Sequence, residues 1–156
     1  MNKIIFLLLG FLVLGCQAKE SLVDPLRPKF ENISFDVVQK KLEIESELPS
    51  HVYMLISQWF DQNVKIDGFD GDMKINIYDY LEEFSSISDG KRVDISLSFD
   101  VILNKTSLSQ TKIIKGSVSS YGALTGNFSL SEFDTVIQNT QSELILRLSR
   151  DLKSKI

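Results

Sequence analysis

A chain of 156 residues, 43% hydrophobic and 24% charged, is long enough for one domain with a sizeable core, and that mixture excludes a disordered chain. The formal net charge of −4 and the pI of about 5.0 exclude a nucleic-acid binder, which carries a basic patch. A single cysteine excludes an internal disulfide.

Met1-Asn2-Lys3 is a short polar start with one positive charge, and the eleven residues from Ile4 to Leu14 are uncharged and almost wholly apolar. At 1.5 Å per residue that run covers roughly 16 Å, about half a bilayer core. It is too short to span and the right length for the h-region of a secretory signal. Val13-Leu14-Gly15-Cys16 follows, with a small residue just before the only cysteine. These residues resemble the lipobox of bacterial lipoproteins. The resemblance implies diacylglycerol on the Cys16 sulfur, cleavage before Cys16, and acylation of the new amino group, for example by palmitate. It also implies outer-membrane sorting, because Gln17 rather than an aspartate follows the cysteine. Loss of Lys3 with the signal takes the charge from −4 to −5. Two acyl chains, at about 0.8 kcal/mol per buried CH₂, suffice to hold the protein to a bilayer. On this reading residues 1–15 are a signal peptide, 16–30 a lipidated cysteine and tether, and 31–156 a periplasmic domain.

Gln17 to Phe30, with Pro25 and Pro28, reads as extended chain, and its fourteen residues reach at most roughly 50 Å. Between Glu31 and Glu47 the alternation of Ile33, Phe35 and Val37 predicts a first strand, with Leu42 and Ile44 continuing it past a polar interruption. Pro49 and Ser50 open a helix, with Ser50 as the expected N-cap. Val52, Leu55, Ile56, Trp59 and Phe60 share one face of it. Lys65 to Asp72, with Gly68 and Gly71, is the expected exit turn. Met73, Ile75 and Ile77 start a second strand that runs to about Phe84. Asp89-Gly90 marks a turn. Val93 to Leu103 alternates without a break, and Gln110 to Tyr121 makes a fourth strand, which together predict an antiparallel meander. Ser129-Leu130-Ser131-Glu132 has capping-box spacing. The closing helix buries Phe133, Ile137, Thr140, Leu144, Leu148 and Leu152, with Val136 and Ile145 beside them.

The order β-α-β-β-β-α predicts an α+β fold: a four-stranded, mainly antiparallel sheet with two helices on one face, the other face polar. Trp59, Phe60, Phe99 and Phe133 are expected to fill the space between the layers.

The search for chemistry finds little. His51, the only histidine, has no nucleophile or orienting partner in its neighbourhood beyond Ser50. Asp61, Asp67, Asp70 and Asp72 crowd one turn without EF-hand spacing. Zinc lacks ligands once Cys16 is acylated. Glu82 and Glu83 are strand neighbours that point to opposite faces, so they make no acid–base pair. The chain reads as a non-enzyme with no cofactor and no metal. Tyr78 and Tyr80 are expected to share the polar face of the second strand as a possible contact surface, since tyrosine is enriched at interfaces.

The lipobox together with this element order resembles small periplasm-facing lipoproteins that accompany larger envelope machines. Three groups share the outline: LptE-like lipopolysaccharide-assembly lipoproteins, auxiliary lipoproteins of ABC-type lipid transport, and lipoprotein activators of peptidoglycan synthases. The stretches from Trp59 to Glu83 and from Ser129 to Ile156 are similar to the helix–turn–strand and the closing helix of small alphaproteobacterial lipoproteins. The resemblance implies an outer-membrane accessory subunit facing the periplasm, joined to the membrane through Cys16 and to an envelope transport or assembly complex. The competing reading is a carrier of lipid or another small ligand, with a cavity under the first helix.

Overall fold

The computed structural model describes residues 25–26 and 28–156. The expected signal peptide, Cys16 and the tether up to residue 24 lie outside the described residues. The elements are β1 (Ile33–Phe35), β2 (Gln39–Ile44), α1 (Ser50–Asn63), β3 (Val64–Ile66), β4 (Asp72–Ile87), β5 (Gly90–Lys105), β6 (Gln110–Thr125) and α2 (Leu130–Lys155).

β2, β4, β5 and β6 form a four-stranded sheet in that order. β2 runs parallel to β4, and the β4–β5 and β5–β6 pairs are antiparallel. The expected α+β architecture is therefore present. The alternation that predicts the strands also sets the register. Ile75 lies beside Val101 and Val101 beside Ile114, while Ile77 lies beside Phe99, so one face of the sheet is apolar across its width. Both helices cover that face. α2 packs on β5 and β6, and α1 packs against α2. Trp59 and Phe99 are fully buried and Phe60 nearly so, filling the layer as the sequence predicts, whereas Phe133, also buried, lies outside that core and packs against Phe84 and Phe128.

Three local expectations change. The expected first strand is two strands in different sheets: β1 pairs with β3 and β2 with β4. The break is a tight turn in which the Val37 N–H donates to the Phe35 carbonyl at 2.9 Å. The expected exit turn begins with β3, whose three residues run parallel to β1. Ser50 is the first helical residue and not the cap. Pro49 occupies the N-cap position, and no side chain caps that end.

α2 starts as predicted. Ser129 accepts from the Glu132 N–H at 3.2 Å, and the Glu132 carboxylate accepts from the Ser129 N–H at 2.7 Å. Lys153 and Lys155 stand in its last turn, where the helix dipole favours cations.

Candidate functional site

The sheet face turned away from the helices is uncovered among the described residues. Polar ladders cross it from strand to strand. Thr111 donates to Asn104 and Asn104 to Asp72, each at 3.0 Å. Lys74 pairs with Glu43 at 3.0 Å. The Tyr78 hydroxyl donates to Asp100 at 2.9 Å, and Lys115 approaches the same carboxylate at 3.5 Å. This bond, more than desolvation or neighbouring charge, raises the Tyr78 hydroxyl above its ordinary pKa. Beyond Tyr78 the face drops to a floor of short side chains, with Ser98 beside Ser117 and Ser96 beside Ser119. Leu81, Glu83, Arg92, Asp94 and Tyr121 rise around this floor and line a cleft of about 420 Å³. Leu81 and Tyr121 are exposed. Arg92 lies 4.6 Å from the centre of the Tyr121 ring and is paired with Asp94.

Tyr78 and Tyr80 do not share this face. Asp79 takes a positive φ of 52°, and the β4–β5 register slips there: Tyr78 faces Ser98, and Leu81 faces Ser96. Asp79 and Tyr80 together oppose one residue of β5, which is a β-bulge. The bulge turns Tyr80 onto the helix side, where it packs against the core. Its hydroxyl donates to Glu82 at 2.5 Å, and Gln141 of α2 donates to the same carboxylate at 3.1 Å. Burial first, and the Glu82 carboxylate second, push the Tyr80 hydroxyl far above its ordinary pKa. Sequence reasoning missed this trio. The signal was the switch of apolar parity after Ile77, from odd positions to Tyr80 and Phe84. The exposed aromatic of the open face is Tyr121, which the odd positions of β6 place there.

The four aspartates of the acidic turn work separately. Asp67 accepts from Ser34 at 2.7 Å, Asp70 from the Ser107 N–H at 2.9 Å, and Asp72 from Asn104, while Asp61 is exposed on α1. The Ser107 hydrogen bonds hold Asp70 below the ordinary carboxylate range. Their effect is to pin the loop before β4 to the β5–β6 turn. Glu82 and Glu83 point to opposite faces, as expected for strand neighbours. The His51 Nε2 has no hydrogen-bond partner among the described residues.

Two other concavities flank the core. A groove of about 690 Å³ between α2 and the β6 edge is lined by Tyr121, Val136, Asn139 and Arg147, and Pro25 and Leu26 lie in it. The Leu26 N–H donates to Asn139 Oδ1, the Phe30 carbonyl accepts from Asn63, and Glu31 pairs with Lys153. Leu26 thus lies beside the middle of α2, and Glu31 beside its C-terminal end. The second cleft, of about 700 Å³, lies at the opposite end of the sheet from the β4–β5 turn and is lined by Phe35, Val37, Leu103, Lys105, Lys112 and Ile156. It is not under α1.

No protein-family model matches the sequence, and no curated protein is significantly similar to it. The fold is similar to that of a minor lipoprotein from Acinetobacter baumannii, at a TM-score of 0.55 and 6% identity, over 75% of this chain and 93% of that one. That likeness establishes a shared fold. A looser likeness, at a TM-score of 0.44 and 14% identity, covers 76% of this chain and 98% of the rare lipoprotein B from Shewanella oneidensis. Among the described residues no helix is long and apolar enough to cross a membrane.

Proposed function

We propose that this is a lipid-anchored protein of the bacterial cell envelope. It is held in the outer membrane through acyl chains on Cys16, faces the periplasm, and serves as an accessory or scaffold subunit of an assembly or transport complex. The Val13–Cys16 pattern supports the anchor, and the fold shared with a protein named as a minor lipoprotein agrees with it. The domain acts by contact and not by catalysis.

The observation that carries the contact role is the open sheet face. Three strands of 16 residues each present it, and its side chains hydrogen-bond across it from strand to strand. Beside the serine floor, Tyr121 with Arg92 over its ring supplies two of the residue types enriched at binding hot spots, and Leu81 is exposed next to them. A photocrosslinking side chain at position 121, in cells, should give one discrete protein adduct. The same side chain at Tyr53, exposed on α1, should give none. Adducts from position 53 alone, or from neither, remove the role of the sheet face.

A second reading, carriage of a small amphiphile, is favoured by the cleft of about 700 Å³, whose volume lies in the range of ligand sites. Native mass spectrometry of protein extracted in mild detergent decides between the two: a stoichiometric bound lipid selects the carrier.

A further inference from the structure

We infer that the end of the domain formed by the β4–β5 turn and the start of α2 rests on the bilayer that holds Cys16. This rests on the lipid-anchor reading above and adds an orientation to it.

Two connections meet at this end. The Gly126 N–H, in the loop before α2, donates to the Asp89 carbonyl in the β4–β5 turn at 2.8 Å, with Gly126 at a φ of 76°. The bond joins the two connections into one tip. Leu130 is 76% exposed and Phe84 57%, and Ile87 is exposed at the end of β4. Behind them the Phe133 ring lies 6.2 Å from Phe84 and 6.0 Å from Phe128. The Lys91 Nζ lies over the Phe133 ring, 5.5 Å from its centre. Asp89, Lys91, Glu132 and Asp134 carry a formal charge of −2, so the tip is an apolar surface with a mildly acidic rim and not a basic patch. Exposed apolar residues gathered at one end of a domain mark a contact site.

The other end of the sheet also exposes apolar residues, Phe69 at 97% and Leu108 at 62%. The reach of the anchor chain chooses between the ends. Leu26 is held at Asn139, one residue from Thr140, which lies over Gly122. Gly122 pairs with Val93, three residues from Gly90 and twelve from Lys105 along β5. At a strand rise of about 3.3 Å, Leu26 is about 10 Å from the tip and about 40 Å from the far end. The ten residues from Cys16 to Leu26 reach at most about 35 Å. A bilayer at the Leu108 end is therefore beyond the anchor, and one at the Leu130 end is well within it. Leu26, at Asn139, also lies nearer the tip along α2 than Glu31 does at Lys153.

The test uses the full lipidated protein in vesicles of phosphatidylethanolamine and phosphatidylglycerol. Acylation of Cys16 consumes its thiol, so a cysteine introduced by Leu130→Cys, Ile87→Cys or Leu108→Cys is the only one a fluorophore can label. The parent protein must show no free thiol on denaturation; one thiol equivalent there sinks the anchor reading itself, whatever the orientation. With the anchor established, brominated lipids should quench labels at 130 and 87 several-fold more than a label at 108. Equal quenching at the three positions, stronger quenching at 108, or none at 130 and 87 overturns the orientation. Protection of 130 from iodide without quenching by bromolipid assigns the tip to a protein partner and also overturns it. Two labelled positions at the tip keep the test decisive if Leu130→Cys disturbs the start of α2.

Discussion

Gly122 of β6 lies beneath Thr140 of α2 so closely that a Cβ on Gly122 falls 2.2 Å from the Thr140 hydroxyl oxygen and 2.7 Å from a Val136 methyl carbon. Thr140 is fixed in turn, because its hydroxyl donates to the Val136 carbonyl at 2.7 Å. Gly116 repeats the relationship further along the strand, where a Cβ meets the Phe99 ring at 2.4 Å and the Asp151 carboxylate at 2.8 Å. At both points the long helix approaches the backbone of an edge strand because no side chain intervenes.

Gly122→Ala should therefore destabilise the protein by about 1–3 kcal/mol, the usual range for overpacking a close contact. Urea unfolding measures it. Ser119→Ala, on the exposed face of the same strand, should stay within about 0.5 kcal/mol. A neutral Gly122→Ala means that α2 does not rest on β6 at this point.

Trp59 is fully buried, and its indole N–H has no acceptor among the described residues. The ring contributes through volume and not through a hydrogen bond. Trp59→Ala should cost about 3–5 kcal/mol. Trp59→Phe should cost clearly less, because it keeps an aromatic ring and deletes a donor whose burial is itself unfavourable. A loss under about 1 kcal/mol for Trp59→Ala places the indole at the surface and reopens a binding role for it.

Tyr80 links stability to alkaline pH. In the folded chain, burial and Glu82 hold its proton well above the ordinary value of 10.0. A raised folded pKa means that the folded state binds the proton more tightly than the unfolded state does. Its contribution is fully present below pH 10 and is lost as pH rises above it. Ultraviolet titration of the folded protein should show a late-ionising tyrosine that Tyr80→Phe removes. The variant should also unfold less steeply with pH above 10. At neutral pH the loss should be about 1.5–3 kcal/mol, for one hydrogen bond to a charged acceptor. An unchanged titration curve for Tyr80→Phe separates the phenol from Glu82 and contradicts the bulge geometry.

The sheet and both helices were legible because their burial is periodic. Met73, Ile75 and Ile77 repeat every second residue, and Val52, Leu55, Ile56, Trp59 and Phe60 repeat at helical spacing. Each pattern names the face it buries. β3 was not legible, because Val64, Lys65 and Ile66 are too few to show a period, and only their pairing with β1 makes them a strand. The bulge at Asp79 was written more faintly. Its trace is a change of parity that reads as noise unless a positive-φ aspartate is entertained there. The strand alternation predicts a polar open face, but counting in twos from Met73 puts Tyr80 on it because the count slips at Asp79. The tip at Leu130 and Phe84 was illegible for another reason. It joins residues 46 positions apart, brought to one end by the packing of α2 on the sheet, the Phe84–Phe133 ring contact and the Gly126–Asp89 bond.

Cys16→Ser separates attachment from folding. The sulfur is the acyl acceptor in the expected modification, and a serine hydroxyl is a far weaker nucleophile at neutral pH. The variant should lose labelling by a palmitate analogue and should accumulate as a precursor that keeps residues 1–15. Among the described residues the core begins at Phe30, and Leu26 is held to α2 by its own N–H. The thermal unfolding midpoint of the domain should therefore match that of the lipidated protein. Unchanged labelling would put the acyl chain elsewhere on the protein. A large fall in the midpoint would show that the residues before Pro25 belong to the folded unit.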